Sequence, residues 1–274
     1  MSRNSRLVTM VFVLALLLVA VPALANASLV DTIQERGKLI VGIQTSAPPA
    51  SMVNEKGEIV GFEADLAKMI ADSMGVGLEF RQLTDATRIP MIQQGSVDIV
   101  IATMTHSRER DKVVDFSISY FWTGQRVLVP ADSNISSIED LAGKRIGTAR
   151  GSTSEQNIMA AQPAAKILTY DDAATAFVSL QRGAVDAIST DESMLLSLRA
   201  DSRNPADWKV VGPYFSAEPF GIAMRENDSR LRDAVNFALI EAWETGEFEE
   251  IYNRWYGPGT KYELPLNFEI EIWP

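Results

Sequence analysis

Hydrophobic positions along this chain fall into two spacings. Segments of strand length stand at residues 38–44 (KLIVGIQ) and 78–82 (LEFRQ), and an apolar run of Val97, Ile99, Val100, Ile101 and Ala102 makes a third. Between them, apolar residues recur every three or four positions, the helical spacing. Over residues 61–75, Leu66, Met69 and Ile70 share one helical face, and a glycine closes the segment as a C-cap. Residues 88–94 predict a short helix closed by Gly95. After a polar stretch at 131–137 the pattern starts again. It predicts a strand at 144–149, a Gly-Ser-Thr loop, a helix from about Ser154, a strand at 166–169, a helix at 172–181 ended by Gly183, a strand at 184–190 and a helix at 192–200. A long helix at 229–245 carries Leu231, Val235 and Leu239 and stops at Gly246, and another runs to Tyr256. Two units of βαβ type and similar length predict an α/β fold of two lobes, not a tandem repeat.

The N-terminus departs from this pattern. Arg3 and Arg6 precede an apolar segment at 10–21, followed by Pro22 and the small residues Ala23, Ala25 and Ala27. A charged region, an apolar core and a small-residue cleavage site have the layout of a secretory signal peptide. The apolar segment is shorter than the ~20 residues of a spanning helix. Residues 1–27 are therefore expected to be a cleaved signal, and the mature protein to be exported, most simply to a bacterial periplasm. The chain has no cysteine, which excludes a lipid-anchored form, disulfides and thiolate chemistry.

Composition narrows the classes further. With 25 basic and 36 acidic residues and a pI near 4.7, the chain lacks the basic footprint of a nucleic-acid binder. Its one histidine, His106, is the only route to a Ser-His-Asp triad and excludes a His-rich zinc site. No glycine-rich dinucleotide fingerprint follows a strand, and no cofactor is expected.

Candidate chemistry begins where the run 97–102 ends. Thr103 and Thr105 stand at a strand end, with Arg110 five residues beyond. Hydroxyls and backbone amides supply directional hydrogen bonds, and a guanidinium supplies a permanently charged fork, so the group suits a carboxylate. The alternative is a loop with a surface arginine. In the second unit, Ser152 and Glu155 have capping-box spacing. The helix start beside Ser152 and Thr153 would attract an anion; a plain N-cap is the simpler reading. Asp191 ends a predicted strand and suits either an ammonium or a helix cap. One anion receptor on each lobe and a cation receptor on the second together fit an α-amino acid, trapped by lobes that close over it and desolvate its charges.

The stretches GFEADLAKMIADSMGV, RIPMIQQGSVDIVIATMTHSRERDKVVDFSISYF, RIGTARGSTSE, AVDAISTDE and FEEIYNRWYG resemble, nearly end to end, the family 3 extracellular solute-binding proteins of polar amino-acid ABC importers. Thr87-Arg88-Ile89-Pro90 and the tail LPLNFEIEIWP are most similar to the glutamate/aspartate and general polar amino-acid branch. The resemblance implies a type II periplasmic-binding fold of two α/β lobes joined by a two-strand hinge. Lobe one would comprise 28–119 and 221–274, lobe two 125–215, and the hinge 120–124 and 216–220. It implies that Arg110 clamps the ligand carboxylate with Thr105, Thr153 and the backbone at Ser152, and that Thr103 and Asp191 hold the ammonium. Arg88 falls where the acidic-ligand branch places an arginine facing the ligand side chain; a surface helix residue is the alternative.

The chain also departs from that branch. Ala47-Pro48-Pro49-Ala50 replaces an aromatic ring, Gln44 stands in place of a second arginine and Ala173 in place of a histidine. A neutral ligand such as glutamine or asparagine therefore stays open beside glutamate and aspartate, and Gln44 would hydrogen-bond either kind. The expected partner is an inner-membrane ABC permease, and the expected state a monomer. The rival function is a periplasmic cyclohexadienyl dehydratase, an enzyme of similar fold, with Asp191 or Asp85 as its general acid. A sensor domain is a third class, normally joined to a membrane helix and cytoplasmic modules.

Overall fold

The computed structural model describes residues 28–273; the predicted export signal lies outside them. The described chain opens with a helix at Leu29–Arg36 (α1) and a strand at Lys38–Ile43 (β1). Three short antiparallel strands follow at Ser46–Ala47 (β2), Ser51–Val53 (β3) and Ile59–Val60 (β4). Then come helix Phe62–Ser73 (α2), strand Gly77–Gln82 (β5), helix Arg88–Gln93 (α3) and strands Ile99–Val100 (β6) and Asp115–Thr123 (β7). The second half runs Gln125–Pro130 (β8), Arg145–Ala149 (β9), Thr153–Ala161 (α4), Lys166–Tyr170 (β10), Ala173–Gln181 (α5), Ala187–Asp191 (β11), Glu192–Asp201 (α6) and Trp208–Val211 (β12). Glu218–Met224 (β13), Ser229–Thr245 (α7) and Glu247–Tyr256 (α8) complete it.

Two five-stranded sheets result, in the orders β5-β1-β6-β13-β7 and β10-β9-β11-β8-β12. Each has a parallel trio extended by an antiparallel pair, so the lobes are built on one plan. β7 and β8 are consecutive in the chain but belong to different sheets, so the chain crosses at Gly124. It returns between Val211 and Glu218. In open α/β sheets ligands bind beyond the carboxyl ends of the parallel strands, and here those ends of the two lobes face one cleft.

The hydrophobic pattern explains what each sheet buries. Phe62 at the start of α2 sits among Phe248, Tyr252 and Tyr256 of α8, with ring centroids 5.7, 5.7 and 5.6 Å away. The C-terminal helices thus seal the first lobe, and buried Leu231, Val235 and Leu239 of α7 join the same core. The second sheet is covered on both faces, by Phe177, Leu180 and Leu195 on one and Leu141 and Ile158 on the other.

Some expected boundaries move. Of the run 97–102 only Ile99 and Val100 stay in the ladder, although Val97, Ile101 and Ala102 are buried too. The strand expected at 184–190 begins at Ala187, because Asp186 turns to bind Arg145, its Oδ2 accepting from the Arg145 amide at 2.8 Å. Apolar content marks burial here, and pairing ends earlier. Spacing does not reveal α1, the β2–β4 ribbon, β7, β8, β12 or β13.

Candidate functional site

The segment after β6 crosses the cleft floor in a fixed shape. Thr103 has a left-handed φ of 43°, uncommon for a threonine. Glu63 of α2 holds it there, its carboxylate accepting from the Thr103 amide at 2.6 Å and the Tyr120 hydroxyl at 2.6 Å. Burial pushes the Glu63 carboxyl above its ordinary range, against the pull of these two donors. Thr105 next bridges to Phe220 of β13, and Arg110 opens a short 3₁₀ turn.

Arg110 is 9% exposed. Its Nη1 donates to the Thr105 carbonyl at 2.9 Å, and its Nη2 to the carbonyl of Gly151 in the other lobe at 3.3 Å. Both acceptors are neutral, and among the described residues it forms no ion pair. Burial, followed by the like charge of Arg88, lowers its pKa to about 9. The surface-arginine alternative is overturned; this cation is desolvated, and the nearby carboxylates of Asp85, Glu218 and Asp191 act on it without an ion-pair contact.

Asp191 mirrors it. It ends β11 and occupies the N-cap position of α6, yet its side chain makes no cap hydrogen bond. The residue is partly exposed, but its Oδ1 is buried and has no hydrogen-bond partner. Burial, with the negative charges of Glu218 and Asp85, raises its carboxyl well above the usual range. The helix-cap alternative is overturned by the same geometry.

The α4 start differs in detail from a capping box. Ser152 Oγ accepts from the Glu155 amide at 3.3 Å, but the Glu155 carboxylate accepts from Gly151 N–H at 3.0 Å instead of from Ser152. Ser152 therefore is the plain N-cap. The amides of Thr153 and Ser154, which line the cleft, are first-turn donors without intrahelical acceptors.

Thr105 and Thr153 meet across the cleft with hydroxyls 3.4 Å apart. Both donate to one carboxylate oxygen of Glu218, at 2.5 and 2.8 Å. Asn157 and Ser216 donate to the other, at 3.0 and 2.6 Å. The two threonine protons are thus directed at Glu218, which leaves the hydroxyl oxygens of these two cleft-lining residues as acceptors. Thr103 donates to Gln44 Oε1 at 3.1 Å, and Gln44 donates to Asp85 Oδ2 at 2.7 Å.

Arg88 is 1% exposed, so the surface-helix reading is a correction. It lies under the cleft, paired with Asp85.

Arg110, Thr105, Thr103, Asp191, Thr153, Ser152, Arg88 and Gln44, the residues singled out in the sequence, all line this one narrow cleft. Spacing did not reveal Glu218, Gln125 or Glu63 as participants. Gln125 donates to Thr153 Oγ1 at 2.9 Å, a contact that no local motif announces.

Residues 39–258 match the model of the bacterial extracellular solute-binding proteins, family 3. The ABC transporter glutamine-binding protein GlnH of Bacillus subtilis is 38% identical over 228 residues, covering 81% of this chain and 82% of that protein. The L-glutamate/L-aspartate-binding protein of Pseudomonas aeruginosa is 31% identical, covering 96% and 92%. An ancestral arginine-binding protein, solved with arginine and with glutamine, superposes with a TM-score of 0.78 at 42% identity, covering 81% of this chain and 99% of that one. An ancestral amino acid-binding protein described as a precursor of cyclohexadienyl dehydratase gives 0.77 at 36% identity, covering 84% and 99%.

Proposed function

Since the chain belongs to the family 3 bacterial extracellular solute-binding proteins, we propose that it traps one polar L-amino acid between its lobes and delivers it to an ABC permease. The observation that carries this reading is the pair Arg110 and Asp191. Neither forms an ion pair, Asp191 Oδ1 has no hydrogen-bond partner and Arg110 meets only neutral carbonyls, the two groups take charges of opposite sign, and both line one cleft. A zwitterion supplies both missing partners at once, and in a site shielded from water each pairing is stronger than at a surface.

In this reading Arg110 takes the α-carboxylate, with the Thr153 and Ser154 amides at the α4 start beside it. Asp191 takes the ammonium, joined, in a change from the roles implied by the resemblance, by hydroxyl oxygens of Thr105 and Thr153 whose protons are directed at Glu218, while Thr103 donates to Gln44. Thr103, Gln44 and Arg88 stand further along the wall, toward the ligand side chain. Closure is proposed as rotation about the crossings, with lobe one formed by 28–119 and 221–274, lobe two by 125–215 and the hinge by 120–124 and 216–220. The change of sheet at Gly124, and again before Glu218, supports this division. We place the mature monomer in the periplasm, exported by the signal at 1–27, without a nucleic-acid partner.

One observation favours the enzymatic rival: a carboxyl with a raised pKa, Asp191, is suited to protonate a leaving group. A thermal-shift screen of the mature protein against the twenty amino acids and prephenate separates the two. A tight ligand at a hundred times its Kd stabilises by about 2.7 kcal/mol. Stabilisation by an amino acid without prephenate turnover is the expected result; turnover of prephenate overturns it.

A further inference from the structure

Arg88 is the cleft arginine left over once Arg110 takes the α-carboxylate; its charge suggests an acidic ligand, and its surroundings argue the reverse. Its guanidinium has five N–H donors and makes four hydrogen bonds. Nη1 donates to the carbonyls of Ala102 at 2.8 Å and Thr103 at 3.3 Å, and Nε donates to the Asp85 carbonyl at 3.3 Å. Nη2 donates to Asp85 Oδ1 and completes an ion pair in which the arginine side chain is 2% exposed. The other oxygen of Asp85 accepts from Gln44. Arg88 therefore lacks the free fork that a ligand carboxylate requires for bidentate pairing, and its charge is already balanced.

The remaining charges tilt the same way. The cleft wall carries two arginines, Arg88 and Arg110, against three aspartates, Asp85, Asp172 and Asp191. A bound zwitterion matches Arg110 and Asp191 one to one, and Asp85 matches Arg88. Asp172 is left over, with one oxygen capping α5 through the Thr175 amide at 2.7 Å. A side-chain carboxylate entering this space meets no unpaired cation and one unmatched anion, Asp172, and burying a charge under those conditions is strongly unfavourable.

We infer that this cleft rejects acidic amino acids and accepts those with a neutral or basic polar side chain, and that Asp85 sets the choice by occupying Arg88. This rests on the proposed amino-acid function and narrows it. Replacing Asp85 by asparagine keeps an acceptor for Arg88 Nη2 but removes the charge that balances it. The side-chain end of the cleft then gains a net positive charge.

Isothermal titration of the mature protein at pH 7 with glutamine, arginine, glutamate and aspartate tests this. In the wild type, the tighter of glutamine and arginine should bind at least tenfold more tightly than either acidic amino acid. In Asp85→Asn, whose folding is checked by its melting transition, that ratio should fall at least tenfold through tighter glutamate binding. A wild-type protein that prefers glutamate or aspartate overturns the inference and leaves the transport reading standing, with no variant needed. A folded Asp85→Asn protein with an unchanged ratio overturns the role of Asp85. Absence of binding by any amino acid overturns the inference together with the reading beneath it.

Discussion

In the proposed reading Asp191 and Arg110, both poorly solvated and neither in an ion pair, are the groups that grip the cargo. Truncating Arg110 to alanine strands the ligand carboxylate in a desolvated cleft, and breaking a buried pair in this way costs about 3–5 kcal/mol. Calorimetry should show binding weakened by two or more orders of magnitude, and a Kd within twofold of wild type would place the ligand elsewhere. Asp191 has a second signature. Its carboxyl pKa is raised in the folded state, so folding favours its protonated form. That stabilisation is complete below the ordinary carboxylate range, near pH 4, and is lost as pH rises through the raised value. Asp191→Asn removes the loss. Without ligand the variant should melt above the wild type at pH 7 and approach it near pH 4, while responding to no amino acid. Glu63 also titrates upward but is present in both proteins, so it cancels from the difference. At this scale the sequence is informative where chemistry is local: Thr103, Thr105 and Arg110 lie within eight residues. It is silent where partners meet only through folding, as Thr105 and Glu218 do across 113 positions.

Long helices are legible in the sequence, whereas β7, nine residues long, is not. The period of Leu231, Val235 and Leu239 and the stop at Gly246 locate α7 to the residue, because a four-turn helix repeats its signal. Short strands carry no period, and β6 keeps two residues of a six-residue apolar run. One glycine matters more than the pattern around it. Gly61 precedes α2 with a φ of 139°, in a region essentially reserved for glycine. A Cβ there would lie 2.4 Å from the Ala50 carbonyl oxygen. That carbonyl accepts the Glu63 amide at 2.8 Å, and Pro49 accepts the Phe62 amide at 3.0 Å, so the loop itself caps the helix that carries Glu63. Gly61→Ala should destabilise the protein by roughly 1–3 kcal/mol from backbone strain alone, with the steric clash adding to it. Chemical denaturation gives the value, and a change below 0.5 kcal/mol would show that the loop moves aside without strain.

At the scale of the whole molecule, two lobes on one plan must meet closely and still separate. The contact is made where side chains are smallest: a Cβ on Gly151 would lie 3.0 Å from the Ala86 Cα of the opposite lobe. Behind it Glu218, at the start of the returning strand, gathers donors from both lobes, Thr105 and Ser216 on its own side and Thr153 and Asn157 across the cleft. The latter two hydrogen bonds exist only while the lobes are together, whereas in an open molecule water replaces them. Hydrogen bonds to a charged group contribute about 1.5–3 kcal/mol each, so their loss moves the equilibrium toward open by an amount that affinity must register, since apparent Kd rises as the competent fraction falls. Glu218→Ala should therefore weaken binding at least thirtyfold. At saturating ligand it should still contract to the wild-type radius of gyration in X-ray scattering, because Arg110 and Asp191 keep their hold on the ligand. An unchanged Kd would mean that closure is held by the ligand alone. A variant that binds weakly yet never contracts would mean that Glu218 shapes the hinge itself.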